Sequence, residues 1–80
     1  MKTDFEIGMK VFLNDEFGIV INSELNELDL IGIIRWDTPK MNDLEDWRGL
    51  FGTFISLGGK IINEDYQFKF IDDNGNLKTK

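Results

Sequence analysis

Carboxylates are the only side chains of catalytic type that this sequence supplies in number. Its 80 residues hold fifteen Asp and Glu, and neither His nor Cys occurs. Candidate pairs of neighbouring acids are Asp15-Glu16, Glu24 with Glu27, and Glu45-Asp46. A carboxylate pair can run general acid–base chemistry when burial or a like charge holds one member protonated near neutral pH. All three pairs fall in polar stretches, where water keeps both members ionised. Without His there is no imidazole to shuttle a proton, and without Cys no thiolate nucleophile or zinc–sulfur site. Ser23 and Ser56 are the only serines, and neither sits in a nucleophile elbow. No phosphate-cradling GxxxxGK[ST] stretch is present. The sequence is therefore read as non-enzymatic, with no catalytic residues and no cofactor.

Asp72-Asp73-Asn74-Gly75-Asn76 offers oxygens at alternate positions, as a calcium loop does. An EF-hand also needs Gly at its sixth position and a bidentate Glu at its twelfth. Here the sixth position is Leu77 and the twelfth lies beyond Lys80. The stretch is read as a hairpin turn, with Asn74-Gly75 suited to a type I′ turn, and no metal site is expected.

The elements that would position these groups are mostly strands. Ile7, Met9, Val11 and Leu13 alternate with polar or small residues, which marks a half-buried strand over 7–13. A polar turn at 14–16 leads to a second strand with Phe17, Ile19 and Ile21 on one face. Gly18 inside it predicts a bulge or a close backbone approach. Residues 30–37 form a third strand that is apolar on both faces, as in a central strand. Residues 42–59 carry two signals. Leu44, Trp47, Phe51 and Phe54 lie at helical spacing behind a possible capping box from Asn42 to Glu45, whereas Phe51, Thr53, Ile55 and Leu57 alternate as in a strand. The reading adopted is an extended stretch over 44–48 paired with the third strand, then a short helix over 49–57 stopped by Gly58-Gly59. A brief strand over 60–63 and a clear one over 66–71 complete the set. There is no alanine and there are ten isoleucines, which also leans toward sheet. The expected fold is mainly β with one short helix, a small, strongly twisted antiparallel SH3-like barrel or curled sheet.

Trp36, Trp47 and Tyr66 could form an aromatic cage or peptide groove. Trp36 shares a strand face with Ile34, and Tyr66 with Phe68 and Phe70, which is the pattern of a buried face. Trp47, with acids before it and Arg48 after it, stays open between core and surface.

Charge is the most informative feature. The chain carries a formal −6, but residues 14–46 hold nine acids against Arg35 and Lys40, a local −7. Such a surface disfavours phosphate backbones and anionic membranes, and steers in basic proteins. Two readings stand: loops that only solubilise, or one negative patch formed where hairpin connections meet. Eighty residues make one domain, 1–80, that buries about two thirds of its unfolded surface. The absence of cysteine favours a reducing cytoplasm. Residues 1–13 lack the pattern of a signal peptide, and no apolar run approaches the roughly 20 residues of a membrane span.

Glu6-Ile7-Gly8-Met9-Lys10-Val11, Gly18-Ile19-Val20 and Ile33-Ile34-Arg35-Trp36-Asp37 resemble the opening strands of small SH3-like or Tudor-like barrels over about residues 6–38. That resemblance implies a small β-barrel and, in function, an adaptor that reads a peptide through exposed aromatics. As a type, the chain is similar to bacterial toxin-immunity proteins, which are short, single-domain, cytoplasmic and often acidic, and many of which block basic nuclease toxins. The expectation is a protein-binding inhibitor of immunity or antitoxin kind. Its partner-binding residues would be Asp15, Glu16, Glu24, Glu27, Asp29, Asp37, Asp43, Glu45, Asp46 and Trp47, with no direct contact to nucleic acid or membrane.

Overall fold

The computed structural model describes residues 4–22 and 30–78. Its elements are β1 (Lys10–Leu13), β2 (Glu16–Val20), β3 (Ile33–Trp36), β4 (Leu44–Asp46), α1 (Phe51–Ser56) and β5 (Lys60–Ile61). The strands form one antiparallel sheet in the order β4-β3-β2-β1-β5. The fold is thus mainly β with one short helix, as its alternating apolar residues predict. The sheet is open: β4 and β5 are its two edges, so no SH3-like barrel closes.

Turn chemistry sets the register. Leu13 pairs with Glu16, which leaves Asn14 and Asp15 as a two-residue loop. Both have positive φ (52° and 66°), the signature of a type I′ turn, and Asn and Asp tolerate that region best after Gly. Asn74-Gly75 is built differently. Only Gly75 of the two has a positive φ (81°), and its N–H donates to the Asp72 carbonyl at 3.0 Å. A hydrogen-bonded turn followed by a left-handed glycine is the geometry of longer hairpin loops, so the expected type I′ turn is corrected here.

Each face of the sheet has its own cover. Val11, Leu13, Val20, Ile34 and Trp36 bury one face under Phe5, Met9 and the helix residue Phe54. Phe5 meets Phe51 and Phe54 edge-on at 5.0 and 5.4 Å. Ile19 on the other face packs with Phe68 and Ile71, flanked by Phe17 and Tyr66. Gly18 pairs with Trp36, and a Cβ there would lie 2.9 Å from the indole and 2.8 Å from Ile34 Cγ2. Gly18 therefore marks a close approach, one of the two outcomes its position predicted.

The ambiguous segment divides as expected, with small shifts of boundary. β4 pairs with β3, and α1 follows. The Asn42–Glu45 capping box does not form, because those residues enter a strand. α1 ends where Gly58 N–H donates to Ile55 and Gly59 N–H to Phe54, with Gly58 at φ 99°. That is a Schellman stop.

Several expected strands are shorter and one is absent: the third keeps Ile33–Trp36 of 30–37, and the one over 60–63 keeps Lys60–Ile61. The first begins at Lys10, because Gly8 (φ 92°) turns the chain and leaves Ile7 exposed. Residues 66–71 form no strand; Ile71 makes an isolated bridge to Leu77. Tyr66, Phe68 and Ile71 face inward because the segment lies across the sheet, and its backbone bonds elsewhere. Lys69 and Phe70 N–H donate to the Asp37 carboxylate at 2.9 and 2.7 Å.

Candidate functional site

Antiparallel order decides which acidic loops can meet. The Asn14-Asp15 turn between β1 and β2 and the 37–43 connection between β3 and β4 emerge at the same end of the sheet, since Gly18 pairs with Trp36 and Trp36 N–H bonds to the Asp43 carbonyl. Asp15, Glu16, Asp37 and Asp43 belong to that end. Asp46, opposite Ile33, lies toward the other end. Glu24, Glu27 and Asp29 fall outside the described residues.

The described acids differ in what they already do. Asp37 spends both oxygens on the backbone of the C-terminal segment, and its own N–H donates to Phe17 C=O at 2.8 Å. Asp43 accepts the Thr38 hydroxyl and steadies the turn. Glu45 Oε1 accepts both indole N–H groups of the protein, from Trp36 at 3.1 Å and Trp47 at 2.8 Å. Asp46 takes the Arg48 guanidinium at 2.7 and 2.9 Å and the Arg48 N–H at 3.0 Å. Those hydrogen bonds hold its carboxyl at a pKa of about 2. Asp15 and Glu16 are exposed, and their side chains make no hydrogen bond or ion pair among the described residues.

The aromatic residues do not form one open cluster. Trp36 is buried (4% exposed) in the larger core. Trp47 is half-buried at its margin, edge-on to Phe54 at 5.2 Å. Tyr66 belongs to the other face, stacked on Phe17 at 4.3 Å, and burial followed by the Asp37 charge raises its phenol pKa.

Two cations, Lys10 and Arg35, lie inside (4% and 3% exposed). Lys10 Nζ donates to the Glu64 and Tyr66 carbonyls, both at 2.6 Å, pairs with Asp73 at 3.0 Å and sits 5.1 Å above the Phe68 ring. Arg35 donates to the Trp36, Thr38 and Lys40 carbonyls and so pins the turn after β3. Arg35 alternates with Ile31 and Ile33 in the sequence, and that apolar company was the available signal. Lys10 gave none, because its partners lie more than fifty residues away.

Among the described residues, no group of three or more acids, His or Cys could hold a metal ion, and no helix is long and apolar enough to cross a membrane. The chain matches no protein-family model, and no curated protein or solved structure is significantly similar to it.

Proposed function

We propose that this protein is a non-enzymatic, acidic protein-binding module of the cytoplasm, an immunity- or antitoxin-type inhibitor that covers a basic partner such as a nuclease toxin. The observation that carries the reading is the distribution of charge at the hairpin end of the sheet. Asp15 and Glu16 project there without side-chain partners among the described residues, beside Asp37 and Asp43, while Lys10 and Arg35 are drawn into the body of the fold. Lys40 is the base in that end's longer turn. Lys69 also lies at that end, through its N–H to Asp37, but the four carboxylates outnumber these two lysines, and a net acidic rim accelerates encounter with a basic cleft and disfavours nucleic acid.

The adaptor alternative, reading a peptide through exposed aromatics, draws less support. Trp36 is covered, and the rings divide between two clusters on opposite faces.

The test is affinity capture of the partner with the tagged chain, followed by binding kinetics across a salt series. The association rate should fall steeply with salt, and Asp15→Asn with Glu16→Gln and Asp43→Asn together should lower it by about tenfold or more at low ionic strength. Binding indifferent to salt and to these substitutions would refute the proposal.

A further inference from the structure

The open sheet has an unused edge at β4. The β3 pairing points the backbone groups of Asp43, Glu45 and Trp47 inward: Asp43 C=O accepts from Trp36, and Trp47 N–H donates to Gly32 at 2.9 Å. Alternation along a strand then aims the groups of Leu44 and Asp46 away from the sheet. Leu44 N–H folds back onto Asn42 C=O at 2.8 Å. Leu44 C=O and the Asp46 N–H and C=O are left without a backbone partner among the described residues. All three β4 residues are exposed, and among the described residues no proline, bulge or covering element protects the edge.

The flanking side chains choose the occupant. Antiparallel pairing with a second copy would set Glu45 against Glu45, Asp46 against Asp46 or, with Leu44 against Leu44, Asp43 against Glu45, and like charges directly opposite are destabilising. Asp46 is already paired with Arg48, but Asp43 and Glu45 accept only neutral donors, keep their negative charge and so complement Lys and Arg. Leu44, and Met41 in the turn before the strand (78% exposed), add apolar surface for an intervening residue. In strand addition, main-chain bonds supply affinity and alternate side chains supply specificity.

We infer that β4 accepts an extended, basic segment of a partner protein as a sixth strand. This rests on the proposed acidic binding role and adds to it a place and a backbone geometry.

The probe is a blocked nonapeptide of alternating Lys and Val, titrated into the full isotopically labelled chain. Three controls accompany it: the same peptide N-methylated at alternate residues, an alternating Glu and Val peptide, and the Leu44→Lys variant. The Asp46 amide should shift and its hydrogen exchange slow about tenfold or more, while the already bonded Glu45 amide changes little. N-methylation, the acidic peptide and Leu44→Lys should each abolish or strongly weaken this response. If the N-methylated peptide binds equally well and the Asp46 amide stays unprotected, strand addition is wrong while the charge-based reading survives. If the basic peptide fails to bind at low salt, the edge is no docking site, and capture of a salt-sensitive basic partner then decides the wider proposal separately.

Discussion

Replacing Lys10 by Met tests the feature that most constrains this fold. The Lys10 side chain is 3% exposed, and its ammonium has three donors for three acceptors: two carbonyls at 2.6 Å and the Asp73 carboxylate at 3.0 Å. Met keeps an unbranched apolar stem and deletes the charge, together with its contact over the Phe68 ring. The Glu64 and Tyr66 carbonyls then lose their donor, at about 1–3 kcal/mol for each group left unsatisfied. Removing one partner of a buried ionic arrangement costs about 3–5 kcal/mol in total, which agrees with the sum over the two carbonyls. Asp73 should contribute little, because its side chain is 70% exposed and water replaces the lost pairing. A chain of this length is stable by roughly 4–12 kcal/mol, so Lys10→Met should remove a large fraction of that. In thermal unfolding followed by circular dichroism, the midpoint should fall by roughly 15–30 °C, whereas Asp73→Asn should move it by less than about 8 °C. If Lys10→Met unfolds within about 1 kcal/mol of the parent chain, the carbonyls are hydrated and the reasoning fails. A large effect of Asp73→Asn would equally refute the division of roles.

Three further outcomes follow from the packing and the titrating groups. Gly18→Ala should cost about 1–3 kcal/mol in urea unfolding, because its Cβ meets Ile34, the Arg35 carbonyl and the Trp36 ring at 2.8–2.9 Å; no loss would mean that the Trp36 ring moves freely. Tyr66 is the only tyrosine, so phenolate absorbance reads it directly, and its midpoint should lie above 10.0. The folded state then binds more protons than the unfolded state above pH 10.0, so stability falls as pH rises through that range. Asp46 has the opposite sign: its pKa of about 2 lies below 3.8, so its contribution is present above pH 3.8 and lost as pH falls toward 2. Arg48→Met should return the Asp46 carboxyl midpoint toward 3.8 in a carbon-detected titration, and an unchanged midpoint would remove Arg48 as the cause.

The elements and their order were legible wherever local chemistry decides them. Alternation at Met9, Val11 and Leu13, at Ile19, and at Ile34 and Trp36 records which face each strand buries. A strand's period of two is a property of the backbone. Gly58-Gly59 announces the helix stop because left-handed geometry suits glycine. The polar run at 14–16 marks a turn, and its type I′ form is set by the Leu13–Glu16 pairing. The same alternation misled at Tyr66, Phe68 and Phe70, because inward side chains do not reveal whether the backbone pairs in a ladder. Phe70 is partly exposed, and Ile71 takes the buried place. Among the proposed site residues, composition located the acids along the chain but could not separate Asp15 and Glu16, whose side chains lack partners among the described residues, from Asp37, Asp43, Glu45 and Asp46, which are already bonded.

By itself, the sequence determined that no histidine or cysteine chemistry is available, that the chain is mainly β, and that its negative charge is concentrated in residues 14–46. Those are matters of composition and short-range periodicity. Only the tertiary structure decided that the sheet stays open, that the β1–β2 and β3–β4 turns bring acids to one end, and that Lys10 and Arg35 lie inside. The sheet order, the meeting of the turns and the burial of Lys10 depend on partners distant in the chain, whereas Arg35 bonds carbonyls within five residues of itself. Lys10 meets carbonyls at residues 64 and 66, and Asp37 meets the backbone at 69 and 70. A carboxylate or an ammonium has the same formal charge wherever it stands, and only the folded neighbourhood determines whether that charge faces a partner or is satisfied within.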